Sequence, residues 1–199
     1  KTFVCRSRGS RPKATFEWFL DGAQIKNWLT KTHESLNQDQ TFEVISMITT
    51  TVTRDLNRKD ILCRSSNMAN PGGLSQRQSI TVYYPPSTKF VYSNATEAVK
   101  ARQFQCIPNG NPVLYTYAPW EHRSFQNDHI RYLQGDNHGY LTLPELAENI
   151  RYQDSGIYIC SVDNSIVDVH GVLIQTGQMN FFSLAPPKIG LSSKNMFLG

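Results

Sequence analysis

Asp154-Ser155-Gly156-Ile157-Tyr158-Ile159-Cys160 sets β-branched side chains in alternation with an aromatic ring and a cysteine, behind a Ser-Gly break. Alternation of this kind belongs to a strand with one buried face, and residues 156–162 read as one. Cys106 stands 54 residues upstream of Cys160, and Trp120 lies between the two cysteines. The same order of scarce residues occurs once more. Cys5 precedes Cys106 by 101 residues, Trp18 precedes Trp120 by 102, Cys63 precedes Cys160 by 97, and Pro85-Pro86 precedes Pro186-Pro187 by 101. Four landmarks sharing one period make two copies of one unit, joined at Tyr84-Pro85-Pro86.

The register of the repeat predicts the domain plan. Residues 1–84 form a first domain, residues 85–177 a second, and residues 178–199 a linker and the start of a further one. Nineteen residues separate Pro86 from Cys106, whereas only four precede Cys5, so the first domain is expected to lack its opening strand. Other strand-like runs are Phe3-Val4-Cys5, Thr15-Phe16-Glu17-Trp18-Phe19-Leu20, Phe42-Glu43-Val44-Ile45, Ile61-Leu62-Cys63, Ile80-Thr81-Val82-Tyr83-Tyr84, Phe104-Gln105-Cys106, Tyr115-Thr116-Tyr117, Gly139-Tyr140-Leu141-Thr142-Leu143 and Val172-Leu173-Ile174. Asp21-Gly22 and Pro71-Gly72-Gly73 read as turns between strands. No helical period competes. The fold class is therefore all-β, two tandem antiparallel sandwiches.

Four cysteines allow three pairings, and the repeat selects Cys5 with Cys63 and Cys106 with Cys160, one bridge inside each unit. Each closes a loop with 57 or 53 residues between its cysteines, worth about 4 kcal/mol in the chain-entropy account. Such bridges persist in oxidising compartments, so the chain is expected to be extracellular, at a cell surface or secreted. No Cys-x-x-Cys pair offers a tetrahedral metal a local pair of ligands, and neither a metal nor a cofactor is implied.

With these residues in place, the chain resembles the immunoglobulin superfamily over residues 1–177. Asp154, Gly156, Tyr158 and Cys160 match its Asp-x-Gly-x-Tyr-x-Cys motif. The resemblance implies that Tyr158 turns inward and returns its hydroxyl to the backbone at a corner, and that Trp120 packs over the disulfide. Unit one departs from the motif, with Ile61 in place of the tyrosine and Asn57 in place of the aspartate. An apolar residue there is similar to constant-type domains of nectin-like and nephrin-like adhesion receptors. Gly9 to Trp18 and Tyr83-Tyr84-Pro85-Pro86 resemble the same group.

Charge and motifs exclude other classes. Residues 1–84 hold 12 Lys and Arg against 7 Asp and Glu, net +5, while residues 85–199 hold 8 against 9, net −1. This is mild steering towards acidic partners, with no device for nucleic acid. Arg6, Arg8, Arg11 and Lys13 cluster after the first cysteine and make an acidic glycan a second class of partner. Nucleophile elbows, phosphate loops and His-Glu-x-x-His are absent from the sequence, so no enzyme is expected. His33, His122, His129, His138 and His170 share no ligand spacing, and the three between Trp120 and Leu141 are expected on exposed loops. No apolar run reaches the length of a membrane span, so membrane attachment would need segments outside this sequence. Asn94-Ala95-Thr96 is a glycosylation sequon.

The resemblance implies a module that binds a protein ligand or a second copy of itself, in adhesion or receptor recognition. The other reading is a secreted immune-recognition protein whose domains support a separate carbohydrate- or microbe-binding domain. Strand alternation supplies the candidate face. With Trp18 and Cys63 inward, Glu17, Phe19, Leu62 and Arg64 point outward from neighbouring strands, and Trp28 extends the apolar area.

Overall fold

The computed structural model describes residues 1–92 and 102–183; Asn94 and residues 184–199, with their Pro-Pro pair, lie outside the described residues. The chain divides into two compact units, Lys1–Tyr83 and Tyr84–Gly199.

In unit one, β1 (Thr2–Ser10), β5 (Phe42–Thr49) and β4 (Leu29–Leu36) form one antiparallel sheet in that order. The second sheet runs β3 (Ala23–Gln24), β2 (Thr15–Leu20), β6 (Asp60–Asn67) and β7 (Asn70–Ser79). Cys5 on the first sheet is bonded to Cys63 on the second. Alternation decides which side chains meet between the sheets: Val44 and Ile48 from β5, Trp18 from β2, and Ile61 and Cys63 from β6 are all buried. Trp18 Nε1 donates to Ser46 Oγ at 3.0 Å, which satisfies both polar groups inside the core.

Unit two has the same two layers. One is β13 (Tyr140–Thr142), β9 (Gln103–Asn111) and β8 (Tyr84–Tyr92). In the other, β14 (Gly156–Asp163) pairs on one side with β15 (Gln175–Phe181) and on the other with β11 (Trp120–Arg123), which is followed by β12 (His129–Leu133). The short β10 (Thr116–Tyr117) pairs with the end of β14. Cys106 and Cys160 join the layers. The core is aromatic, with Phe104, Trp120 and Tyr158 buried and the Phe104 ring edge-on to both Tyr158 (4.8 Å) and Phe181 (4.9 Å). The expected all-β architecture with one bridge between the sheets of each unit is thus present.

Four local expectations change. Pro71-Gly72-Gly73 is not a turn but part of β7; the hairpin turns one step earlier, where Asn67 pairs with Asn70. The last strands of both units are polar segments, Asn70–Ser79 and Gln175–Phe181, while Ile80 to Tyr83 and Val172-Leu173-Ile174 lie outside strands. Residues 178–181, read as linker, pair with β14 throughout and carry the buried Met179. Finally, His122 is no loop residue. It lies on β11 and is fully buried.

Candidate protein-binding face

The outer surface of the β2–β6–β7 sheet gathers most of the residues singled out by alternation. Register sets Trp18 opposite Cys63, Glu17 opposite Arg64, and Phe19 opposite Leu62; β7 then brings Ser75 beside Arg64 and Arg77 beside Leu62. Because Trp18, Ile61 and Cys63 occupy the core, their neighbours Glu17, Phe19, Leu62 and Arg64 are left half-buried on the other side. Asp21 and Gly22 close the β2–β3 hairpin with positive φ at both positions (47° and 82°), the geometry a two-residue turn needs to match strand twist. This turn forms one wall of a groove of about 550 Å³, lined by Phe19, Leu62 and Arg64 with Asp21, Asp60 and Arg77.

The groove has an apolar floor, Phe19 and Leu62, between charges of both signs. Arg64 lies 4.0 Å from Glu17, and Arg77 lies 3.5 Å from Asp60. Asp60 is held further by a hydrogen bond from Ser79 Oγ, and its backbone N–H donates to Asp21 Oδ1 at 2.9 Å. Such exposed pairs add little stability, about 0–1 kcal/mol each. They do set charges of both signs around the apolar floor. Glu17 also accepts from Gln24 Nε2 at 3.4 Å, so the rim is ordered from both sides of β2.

Trp28 does not line this groove. It sits just before β4, where the chain crosses to the other sheet. Conversely, Arg77 escapes a reading built on β2 and the cysteine strand alone, whereas Asp60 opens the cysteine strand two residues before Leu62. The alternation of Ser75, Arg77 and Ser79 would have revealed Arg77 had β7 been placed correctly.

The basic cluster of unit one is largely matched by acids. Arg6 and Arg8 share Glu43 at 3.4 and 3.2 Å, and Lys13 reaches Glu34 at 3.0 Å. A sulphated sugar would have to displace these carboxylates.

The equivalent face of unit two is different. Glu121 sits opposite Ile159 and Arg123 opposite Ile157. Arg123 donates twice to Glu121, at 2.8 and 2.9 Å, and His129 Nδ1 lies 3.0 Å from the same carboxylate. These hydrogen bonds, Arg123 first, pull the Glu121 carboxyl down to about 2. The position facing Cys63's outward neighbour is apolar in unit one; here it is a salt-bridged carboxylate.

Residues 1–72 match the family model for a CD80-like C2-set immunoglobulin domain. Among known proteins, the chain is 28% identical over 165 residues to "Cell adhesion molecule 3" of Xenopus laevis, covering 81% of this chain and 39% of that protein. It is 26% identical over 163 residues to "Cell adhesion molecule 4" of Xenopus laevis, covering 81% and 39%. To the Homo sapiens "Cell adhesion molecule 4" it is 26% identical over 179 residues, covering 80% and 39%. The chain spans about two fifths of the length of these curated relatives.

Proposed function

We propose that this tandem pair of immunoglobulin-superfamily domains is an extracellular adhesion or receptor module, without catalytic activity of its own, that binds other proteins through the outer face of β2, β6 and β7. The observation that carries the reading is the pairing of Phe19 with Leu62 on an outward face, ringed by Glu17, Arg64, Asp60 and Arg77. An apolar centre desolvated by contact, inside a polar rim, is where protein interfaces concentrate binding energy. Phe19 and Leu62 are the anchors, and the rim charges select the partner. Trp28 has no part in the groove. The names of the relatives, cell adhesion molecules, support the same class of work, and the disulfides suit an extracellular setting.

The test uses beads coated with the chain, mixed with one another and with cells. Phe19→Asp or Leu62→Asp is expected to lower bead aggregation or cell capture about tenfold or more. The melting curve should stay close to wild type, since neither side chain lies between the sheets. If both variants fold and bind as wild type does, this face is not the site.

A further inference from the structure

Unit two buries a histidine that the proposed binding face does not use. His122 has no exposed surface, and its ring stacks on Tyr158 with centroids 4.3 Å apart and planes at 8°. Both ring nitrogens are engaged. Arg131 Nε lies 3.3 Å from Nδ1, and Nε2 lies 3.3 Å from the carbonyl of Ser155. A guanidinium N–H can only donate and a carbonyl can only accept, so the two contacts together require one tautomer: Nδ1 bare, Nε2 protonated, ring neutral. The backbone at Gly156 closes over the ring, where a Cβ would come within 2.6 Å of Nε2.

The arginine held by Nδ1 is also a ligand of the corner. Arg131 Nη2 donates to Asp154 Oδ1 at 2.5 Å, and the buried Arg102 is ion-paired with the same carboxylate. Asp154 is fully buried, and its backbone carbonyl accepts the Tyr158 hydroxyl at 2.8 Å. Among the described residues, the charged and titratable groups around the ring are therefore Arg131 from β12, Tyr158 from β14, and Asp154 with Arg102 from the segments before β14 and β9. Glu121 and Arg123, its neighbours on β11, belong to the outer face with His129. Asp154 already answers two guanidinium groups, and Arg151 and Glu145 act electrostatically on Arg102 with opposite signs.

We propose that His122 is an acid-sensitive latch: its neutral imidazole holds Arg131 on Asp154, and protonation at Nδ1 releases that arginine and loosens the β12–β11–β14 sheet of unit two. A proton on Nδ1 would set two donors against each other and add a further cation to the two already paired with Asp154. Burial favours the neutral ring and holds His122 below its ordinary value of 6.5, with Arg131 adding to the effect against the Ser155 carbonyl. The sign follows. The unfolded chain takes up the proton first on acidification, so the stability of unit two is full above pH 6.5 and falls as the pH drops below it. Unit one has only His33, exposed on β4, and buries no histidine.

The experiment is amide hydrogen exchange on the oxidised chain at pH 7.5, 6.5 and 5.5, expressed as protection factors. Protection in Trp120–Arg123 and Gly156–Asp163 should fall by up to about tenfold between pH 6.5 and 5.5, while Phe42–Thr49 stays unchanged. In His122→Gln, whose amide can accept from Arg131 and donate to Ser155, the pH dependence should vanish. An NMR titration of the wild-type ring provides a reading that needs no variant to fold: Nδ1 should be unprotonated at pH 7.5 and the midpoint should lie below 6.5. A midpoint at or above 6.5, equal loss of protection in both units, or a wild-type pH dependence in His122→Gln would overturn the proposal.

Discussion

At the same place in the repeat, the two units solve one problem by opposite means. Unit two anchors the corner before its second cysteine with Tyr158, whose hydroxyl returns to the Asp154 carbonyl, while the Asp154 carboxylate gathers Arg102 and Arg131. Unit one has Ile61 and Asn57 at those positions. Ile61 is simply buried, and Asn57 Oδ1 accepts the backbone N–H of Val82 at 3.0 Å. Both corners follow a 3₁₀ turn, Arg54–Leu56 and Glu148–Asp154. The backbone shape therefore does not depend on the polar network. What the network adds is dependence on charge state, because a buried carboxylate is stable only while its cations are in place.

Removing one partner from each corner exposes the difference most strongly. Asp154→Ala removes the carboxylate ion-paired with both Arg102 and Arg131 and should cost about 3–5 kcal/mol, read as an earlier denaturant transition for unit two with unit one unmoved. A cost below about 1 kcal/mol would mean that the charges of the corner are dispensable, and the contrast between the units would collapse.

The matching change in unit one is apolar. Ile61→Ala should cost about 2–4 kcal/mol through lost burial and the cavity it leaves, and this cost should not vary between pH 5.5 and 7.5. Ile61→Tyr tests whether the corner can be transplanted. Without the space that unit two provides, overpacking should destabilise unit one by about 1–3 kcal/mol; a gain in stability would show that the two corners are interchangeable.

The smallest effect sharpens the comparison at the surface. Glu121 is held down to about 2 by Arg123 and His129. A depressed carboxylate contributes stability that is present above its ordinary value of 4.5 and is lost as the pH falls from there towards 2. Glu121→Gln should therefore flatten the acid limb of unit two below pH 4.5 and leave pH 5.5–7.5 unaltered. A change in the upper range would move part of the acid response from the buried ring to this surface group.

Alternation and the repeat were enough to read the two-sheet class, both disulfides, the inward tryptophans and the outward Phe19 and Leu62. Each depends on residues adjacent in a strand or on scarce residues at a repeated spacing. The last strands were misplaced for a physical reason. Strands such as β7 and β15 lie at sheet edges and present mostly polar side chains, so hydrophobic period says little about them. Apolar runs such as Val172-Leu173-Ile174 attract the assignment instead, although all three stay exposed. With β7 misplaced, Arg77 dropped out of the groove.

What the sequence determined by itself, then, was what local period and covalent landmarks carry: the cysteine and tryptophan strands, the bridges, and which side of β2 and β6 faces outward. Only the tertiary structure decided where the charges of unit two meet. Arg102, His122, Arg131 and Asp154 come from four separate segments, and Arg102 lies 52 residues before the aspartate it pairs with. Asp154 stands in the motif before Cys160, but no local pattern names Arg102, His122 and Arg131 as its neighbours. They converge because Cys106–Cys160 and the strand register bring their backbones together, and the buried Asp154 carboxylate then ion-pairs with both guanidinium groups.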